Sequence, residues 1–234
     1  DHYALYYAYW DTPTTDTIVA AWYGVWDVLW TASRADFPEA YEDYMRPSSI
    51  ALSPDEEVLI VLFEGCHIYG LSTDTGSVLW HEKFSGQSLN MIHCYRVEFA
   101  PQGHLFVTDV IYEEDSDKQL GVLYRLDFPD GYDNSPVKTA EYLMGDFGDG
   151  SYSEPYWLQV TPDGGAIVNC YADAPDSEYG SKTLLIRVDA NCQEVWARDL
   201  KEIFNEDIEW EDYYAPFLLT DDWLYVGILA PESD

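Results

Sequence analysis

The chain has 234 residues, with 44 Asp and Glu against 11 Lys and Arg, a formal charge of −33, yet 47% of it is hydrophobic and 16% aromatic. The apolar and aromatic content excludes an acidic disordered chain, which cannot bury enough surface to fold. The scarcity of Lys and Arg excludes a nucleic-acid binder, which must neutralise phosphates.

Taken in chain order, residues 1–46 read as a partial repeat. Ile18-Val-Ala-Ala-Trp-Tyr-Gly-Val-Trp-Asp-Val-Leu-Trp30 is a strand, a turn and a strand ending in Trp, and residues 38–45 carry a helical turn or two. Residues 47–96 hold a complete repeat. Ile50-Ala-Leu-Ser-Pro-Asp-Glu-Glu-Val-Leu-Ile-Val61 is a hairpin whose Pro and Asp set the turn, and Cys66-His-Ile-Tyr-Gly-Leu-Ser-Thr-Asp-Thr-Gly-Ser-Val-Leu-Trp80 is a second hairpin ending in Trp. Residues 97–155 repeat the plan with Val97-Glu-Phe-Ala-Pro-Gln-Gly-His-Leu-Phe-Val107, then a looser Leu123-Tyr-Arg-Leu-Asp-Phe-Pro-Asp-Gly131 leading to Thr139-Ala-Glu-Tyr-Leu143. Residues 156–204 return to it with Leu158-Gln-Val-Thr-Pro-Asp-Gly-Gly-Ala-Ile-Val168 and Leu184-Leu-Ile-Arg-Val-Asp-Ala-Asn-Cys-Gln-Glu-Val-Trp196. A helical turn is expected within 199–209. Residues 205–234 close on another partial repeat, Phe217-Leu-Leu-Thr-Asp-Asp-Trp-Leu-Tyr-Val226.

The first hairpins start 47, 61 and 59 residues apart, and Trp30, Trp80 and Trp196 fall at matching places. Two hairpins make a four-stranded antiparallel unit that cannot bury both faces alone, so neighbours must stack. The expected fold is all-β, a single β-propeller domain over 1–234 with about four to five blades, or a fragment of a larger ring. In the smaller ring the terminal pieces would zip into one shared blade.

Leu71-Ser-Thr-Asp-Thr-Gly-Ser-Val-Leu-Trp80 closely resembles the repeat of quinoprotein-type (PQQ-like) propellers, a WD40-like architecture, and Val188 to Trp196 matches it in part. The resemblance implies that the Trp docks one blade onto the next. Quinone-dependent enzymes of that family have about eight blades, a Ca²⁺ ligand set and often adjacent cysteines. This chain is shorter and has no Cys-Cys pair, so the resemblance implies a non-enzymatic member without a quinone cofactor.

The charge is spread evenly, with 20 acids and 4 bases in residues 1–117 and 24 and 7 in 118–234, so it belongs to the folded surface. The longest run without a charged residue is 12 residues, 84–95, well short of the ~20 that span a membrane. Asp1 is not preceded by Met, which implies a processed or trimmed start and leaves cytoplasmic and secreted locations both open. Cys66, Cys94, Cys170 and Cys192 form no metal-binding spacing. Cys66 and Cys170 lie in apolar runs that suit buried free thiols, while two disulfides stay open.

No hydrolase motif is present, and histidines beside turns, His81 and His104, read as solvated surface. Asp127, Asp130, Asp133 and Asn134, and Asp146, Asp149 and Ser151, offer oxygen ligands for Ca²⁺, although Asp-Gly also simply makes turns. Two acid-rich segments are candidate partner-binding sites: Glu113, Glu114, Asp115 and Asp117, and Glu206, Asp207, Glu209, Trp210, Glu211, Asp212 and Tyr213, the second mixing aromatic anchors with charge. The leading expectation is a binding scaffold whose acidic surface engages a basic protein partner, one form being an immunity-type inhibitor of a toxin. A salt-adapted quinoprotein-like domain and a Ca²⁺-dependent carbohydrate binder are the alternatives.

Overall fold

The computed structural model describes residues 4–9, 17–22, 28–42, 47–84, 96–113, 115, 117–146, 148, 150–173, 182–200, 202, 217–219 and 224–226. The described residues are almost wholly β. A three-stranded sheet, β1 (Ala4–Tyr9), β2 (Thr17–Trp22) and β3 (Val28–Ser33), leads into α1 (Pro38–Glu42). A four-stranded sheet follows: β4 (Pro47–Leu52), β5 (Val58–Phe63), β6 (His67–Ser72) and β7 (Val78–Lys83). The next four strands are β8 (Val97–Phe99), β9 (Leu105–Glu113), β10 (Lys118–Asp127) and β11 (Val137–Met144). After them come β12 (Tyr152–Val160), β13 (Ala166–Asp173), β14 (Lys182–Val188) and β15 (Glu194–Asp199), and a last pair, β16 (Phe217–Leu219) and β17 (Leu224–Val226).

Each group is an antiparallel meander, and each first hairpin read from the sequence is the first strand pair of its group. In the first turns Pro54, Pro101 and Pro162 are followed two residues later by Glu56, Gly103 and Gly164 at positive φ (64°, 93° and 87°), which the tight reversal demands.

The apolar run of β5 is buried throughout because its alternate residues enter different cores. Val58, Ile60 and Leu62 meet Val97, Leu105, Val107 and Val122 of the following blade. Leu59, Val61 and Phe63 meet Trp30, Ala32, Phe37 and Ala40 of the preceding segment. A third core joins Phe106, Leu123 and Met144 to Leu158, Val168 and Ile186. The β4–β7 and β8–β11 groups are thus each wedged between two neighbours, the face-to-face stacking of propeller blades. Each Val, Leu or Ile buried this way contributes about 1.5–3 kcal/mol.

Three findings refine the sequence reading. First, β12 starts at Tyr152, so the repeat boundary expected between 155 and 156 falls inside a strand. Its first residues bridge β10 in parallel, Gln119 opposite Tyr152, and fuse two blades into one eight-stranded sheet. Gly121 allows this approach: its N–H donates to Ser153 Oγ (2.7 Å), and a Cβ there would lie 3.0 Å from the Pro155 ring. Second, among the described residues β16–β17 and β1–β3 form separate sheets rather than pairing in one shared blade, which fits the alternative of a fragment of a larger ring. Third, Cys66, Cys170 and Cys192 are buried free thiols, as the apolar runs around Cys66 and Cys170 suggested, so they form none of the disulfides left open. Burial pushes the Cys170 and Cys192 thiols up to about 12. No helix is long and apolar enough to cross a membrane, among the described residues.

Candidate docking surface at the turn end

Because strands alternate in direction, the turn between the first two strands of a sheet and the turn between its last two leave at the same end. Contacts between blades carry this through the stack. Gln102 Nε2 donates to Pro162 O (3.1 Å), and His104 Nε2, facing the Gly164 carbonyl at 2.8 Å, must carry its proton there. The reading of His104 as solvated is corrected: it is buried, edge-on to Phe106, and burial lowers its pKa.

The three repeated tryptophans hold one register position. Trp30 pairs with Ala20, Trp80 with Gly70 and Trp196 with Arg187, each beside a β-bulge of the outer hairpin. Trp30 Nε1 donates to Thr73 O (2.7 Å) and Trp80 Nε1 to Tyr132 O (2.8 Å), both carbonyls lying in the outer turn of the following sheet. Between β11 and the next sheet the position belongs to Ala140, opposite Arg125. There the Arg125 guanidinium donates to Ala190 O, the equivalent carbonyl, and to Asn191 Oδ1. Sequence reading missed this replacement, whose only signal was the absence of Trp from the looser copy.

Asp55, Glu56, Glu57, Asp74, Asp130, Asp133 and Asp163 are all exposed on this turn end. The bases described beside them are matched internally: Arg125 with Asp127 (2.9 Å), Lys138 with Glu141 (2.8 Å) and Arg187 with Asp163 (2.6 Å). The negative field there is therefore left without free counter-charge from these cations.

The segment Glu113 to Asp117 links β9 to β10 at the opposite end. Asp115 and Asp117 are exposed, and Tyr112 Oη donates to Asp117 Oδ1 (2.8 Å), while Glu114 lies outside the described residues. The second acid-rich segment, Glu206, Asp207, Glu209, Trp210, Glu211, Asp212 and Tyr213, also lies outside them. In the two Asp-rich turns the described side chains are engaged locally: Asp127 accepts from Arg125, Asn134 Nδ2 donates to Asp130 O and Asp133 Oδ1, and Asp146 binds Lys118 and the Gly148 N–H, while Asp149 lies outside the described residues. No three His, Cys, Asp or Glu side chains among the described residues are grouped to hold a metal ion.

At the opposite end a histidine pair escaped the sequence reading. The rings of His67 and His81 lie 7° from parallel with centroids 5.2 Å apart and Nδ1 to Nε2 at 3.0 Å. One N–H therefore points into the other's lone pair. Tyr69 stacks on His81 and donates to Glu39 Oε2 (3.0 Å), pinning α1 to this blade. His81 is half-buried rather than solvated, and burial lowers its pKa against the pull of Glu39. The signal was present in the pattern: His67 and His81 flank one hairpin, whose register sets Tyr69 opposite His81.

The inner strands carry one half-buried acid of note. Glu98 accepts from the Val160 N–H (3.2 Å), and burial raises its pKa to about 7 from the ordinary 4.5. The folded state thus holds a proton the unfolded chain releases, so this group's favourable contribution is complete below pH 4.5 and is lost as pH rises through about 7. Glu98→Gln is expected to leave stability at pH 4.5 nearly unchanged and to raise it by about 1–2 kcal/mol at pH 8, allowing for solvent screening. Thermal melts of both proteins across that range check it.

The chain is similar in structure to a quinohemoprotein alcohol dehydrogenase of Pseudomonas putida HK5, ADHIIG (TM-score 0.59, 10% identity, 83% of this chain and 32% of that one). It is similar also to the quinohemoprotein alcohol dehydrogenase of Comamonas testosteroni (TM-score 0.58, 11% identity, 83% and 33%) and to the Dos1 propeller (TM-score 0.52, 17% identity, 84% and 44%). The chain spans from about a third to less than half of these structures. The likeness is one of fold, a β-propeller. No protein-family model and no curated protein matches the chain.

Proposed function

We propose that this chain is a non-enzymatic binding scaffold whose turn end docks a basic protein partner, in its most concrete form as an immunity-type inhibitor covering the basic cleft of a toxin. The observation that carries the reading is the row of exposed carboxylates on that end, beside which Arg125, Lys138 and Arg187 are consumed by acids of the chain itself. Opposite charge on a partner would raise the rate of encounter and fix its orientation, and a field of this size repels acidic competitors.

The test is retention of a basic protein on the immobilised chain. Retention should be strong at about 0.01 M salt, where the screening length is about 30 Å, and lost at about 1 M, where it is about 3 Å. Replacing Glu56, Glu57, Asp74, Asp130 and Asp133 together by their amides should weaken it by an order of magnitude or more. Retention indifferent to both changes overturns the reading. So does a melting temperature that climbs with salt while nothing basic is retained, which assigns the acid to salt adaptation.

A further inference from the structure

The side of the stack that faces outward is not purely polar. On the outermost strand of each four-stranded group, and on β3, large apolar side chains stand in water: Val28 (57% exposed), Leu29, Val78, Leu79 and Val195 (50%) beside a repeated Trp, and Val137 on β11, where Ala140 takes the Trp position. Single exposed aliphatics need no explanation. These recur in register. Val28 and Val78 face the bulge partners Ala21 and Leu71, and Leu29, Leu79 and Val195 each immediately precede Trp30, Trp80 and Trp196.

The docking bonds connect them. Trp30 reaches the turn holding Asp74, which leads into Val78 and Leu79. Trp80 reaches the turn holding Asp130 and Asp133, which leads to Val137. Arg125 reaches the turn holding Asp189, which leads to Val195. Apolar and acidic groups therefore alternate from blade to blade along the rim of the turn end. An apolar centre beside charge is how a protein interface is built, and water-exposed Val and Leu at fixed positions of a chain at −33 are otherwise a liability.

We infer that this rim is an interaction surface for a basic amphipathic segment, in which Lys or Arg alternates with apolar residues. The inference rests on the reading proposed above and gives the partner's chemistry. Charge complementarity selects the occupant. A second copy of this chain would bring −33 against −33, and an acidic or purely apolar segment would leave the turn carboxylates unmatched. Lys83, Lys138 and Arg198, all exposed, lie one each on β7, β11 and β15, the outermost strands. Such edge charges discourage indiscriminate strand pairing, so the segment is held by side chains rather than by extension of the sheet.

Two synthetic peptides test it: one alternating Lys with Leu, and one with the same Lys count in which Ser replaces every Leu. The Leu peptide should bind the intact chain at least about tenfold more tightly than the Ser peptide. Leu79→Ser combined with Val195→Ser should abolish that difference while leaving Ser-peptide binding unchanged. Leu143→Ser, on the same kind of strand but at its far end and 37% exposed, should preserve it. Equal affinity of the intact chain for the two peptides overturns the rim and leaves the acidic docking end standing. Binding of neither peptide at low salt overturns both. Circular dichroism of each variant reports whether a loss comes from misfolding.

Discussion

Replacing Trp80 with Ala is expected to cost about 3–5 kcal/mol, the range for emptying a buried indole site, and to lower Tm by roughly 10 °C. The side chain is only 6% exposed and reaches into the core shared by two sheets, where it packs against Phe128. Its Nε1–H also satisfies Tyr132 O, which would be left without that donor. Trp80→Phe retains most of the apolar contact and loses the donor, so its cost should be about 1–2 kcal/mol. Trp196, half-buried, should tolerate Ala with a smaller loss. Denaturant melts of the three variants rank them. Equal effects at 80 and 196 would sink the idea that the Trp acts by docking onto a following sheet.

Gly70→Ala should be nearly as damaging, although alanine is chemically mild. A Cβ at Gly70 would lie 2.3 Å from Trp80 Cε2 and 2.4 Å from Nε1, closer than any packed atoms stand, so the indole must leave its place. The cost expected is about 2–4 kcal/mol. The two residues face each other across β6 and β7, so their effects should not add. In the Trp80→Ala background the same Gly70→Ala change should cost under about 1 kcal/mol, since the space is already open. A double-mutant cycle measures this directly. Additive costs would mean that Gly70 is needed for backbone reasons alone.

Both predictions depend on features that differ in how visible they were beforehand. The hairpins were legible because the chemistry that makes them is local: Pro at one turn position and a residue at positive φ two places on, as at Pro162 and Gly164. The register of the tryptophans was legible for the same reason, since each closes a short hairpin of recurring length. What joins sheets was not. Arg125 stands in for a missing Trp only because the fold brings Ala190 to it from 65 residues away. The bridge between β10 and β12 depends on Gly121 meeting Ser153, another distant pair. Of the candidate sites, Asp127 and Asp146 were chosen for their oxygen atoms, and the fold spends those atoms on Arg125 and Lys118. The exposed carboxylates of the proposed docking end, Glu56, Glu57 and Asp74, sat inside turns whose role was already explained by folding. A run of acids draws attention in a sequence, while acids gathered from separate turns become a surface only in three dimensions.

The two-sided burial of β5 has a practical outcome for anyone cutting the chain. A break in the 84–95 connection would strip Val58, Ile60 and Leu62 of the wall they lean on and bare Val97, Leu105 and Val107 on the other piece. Neither half would be a smaller version of the whole. Each would present a freshly opened greasy flank, and precipitation of the pieces is the outcome to expect unless they are kept together.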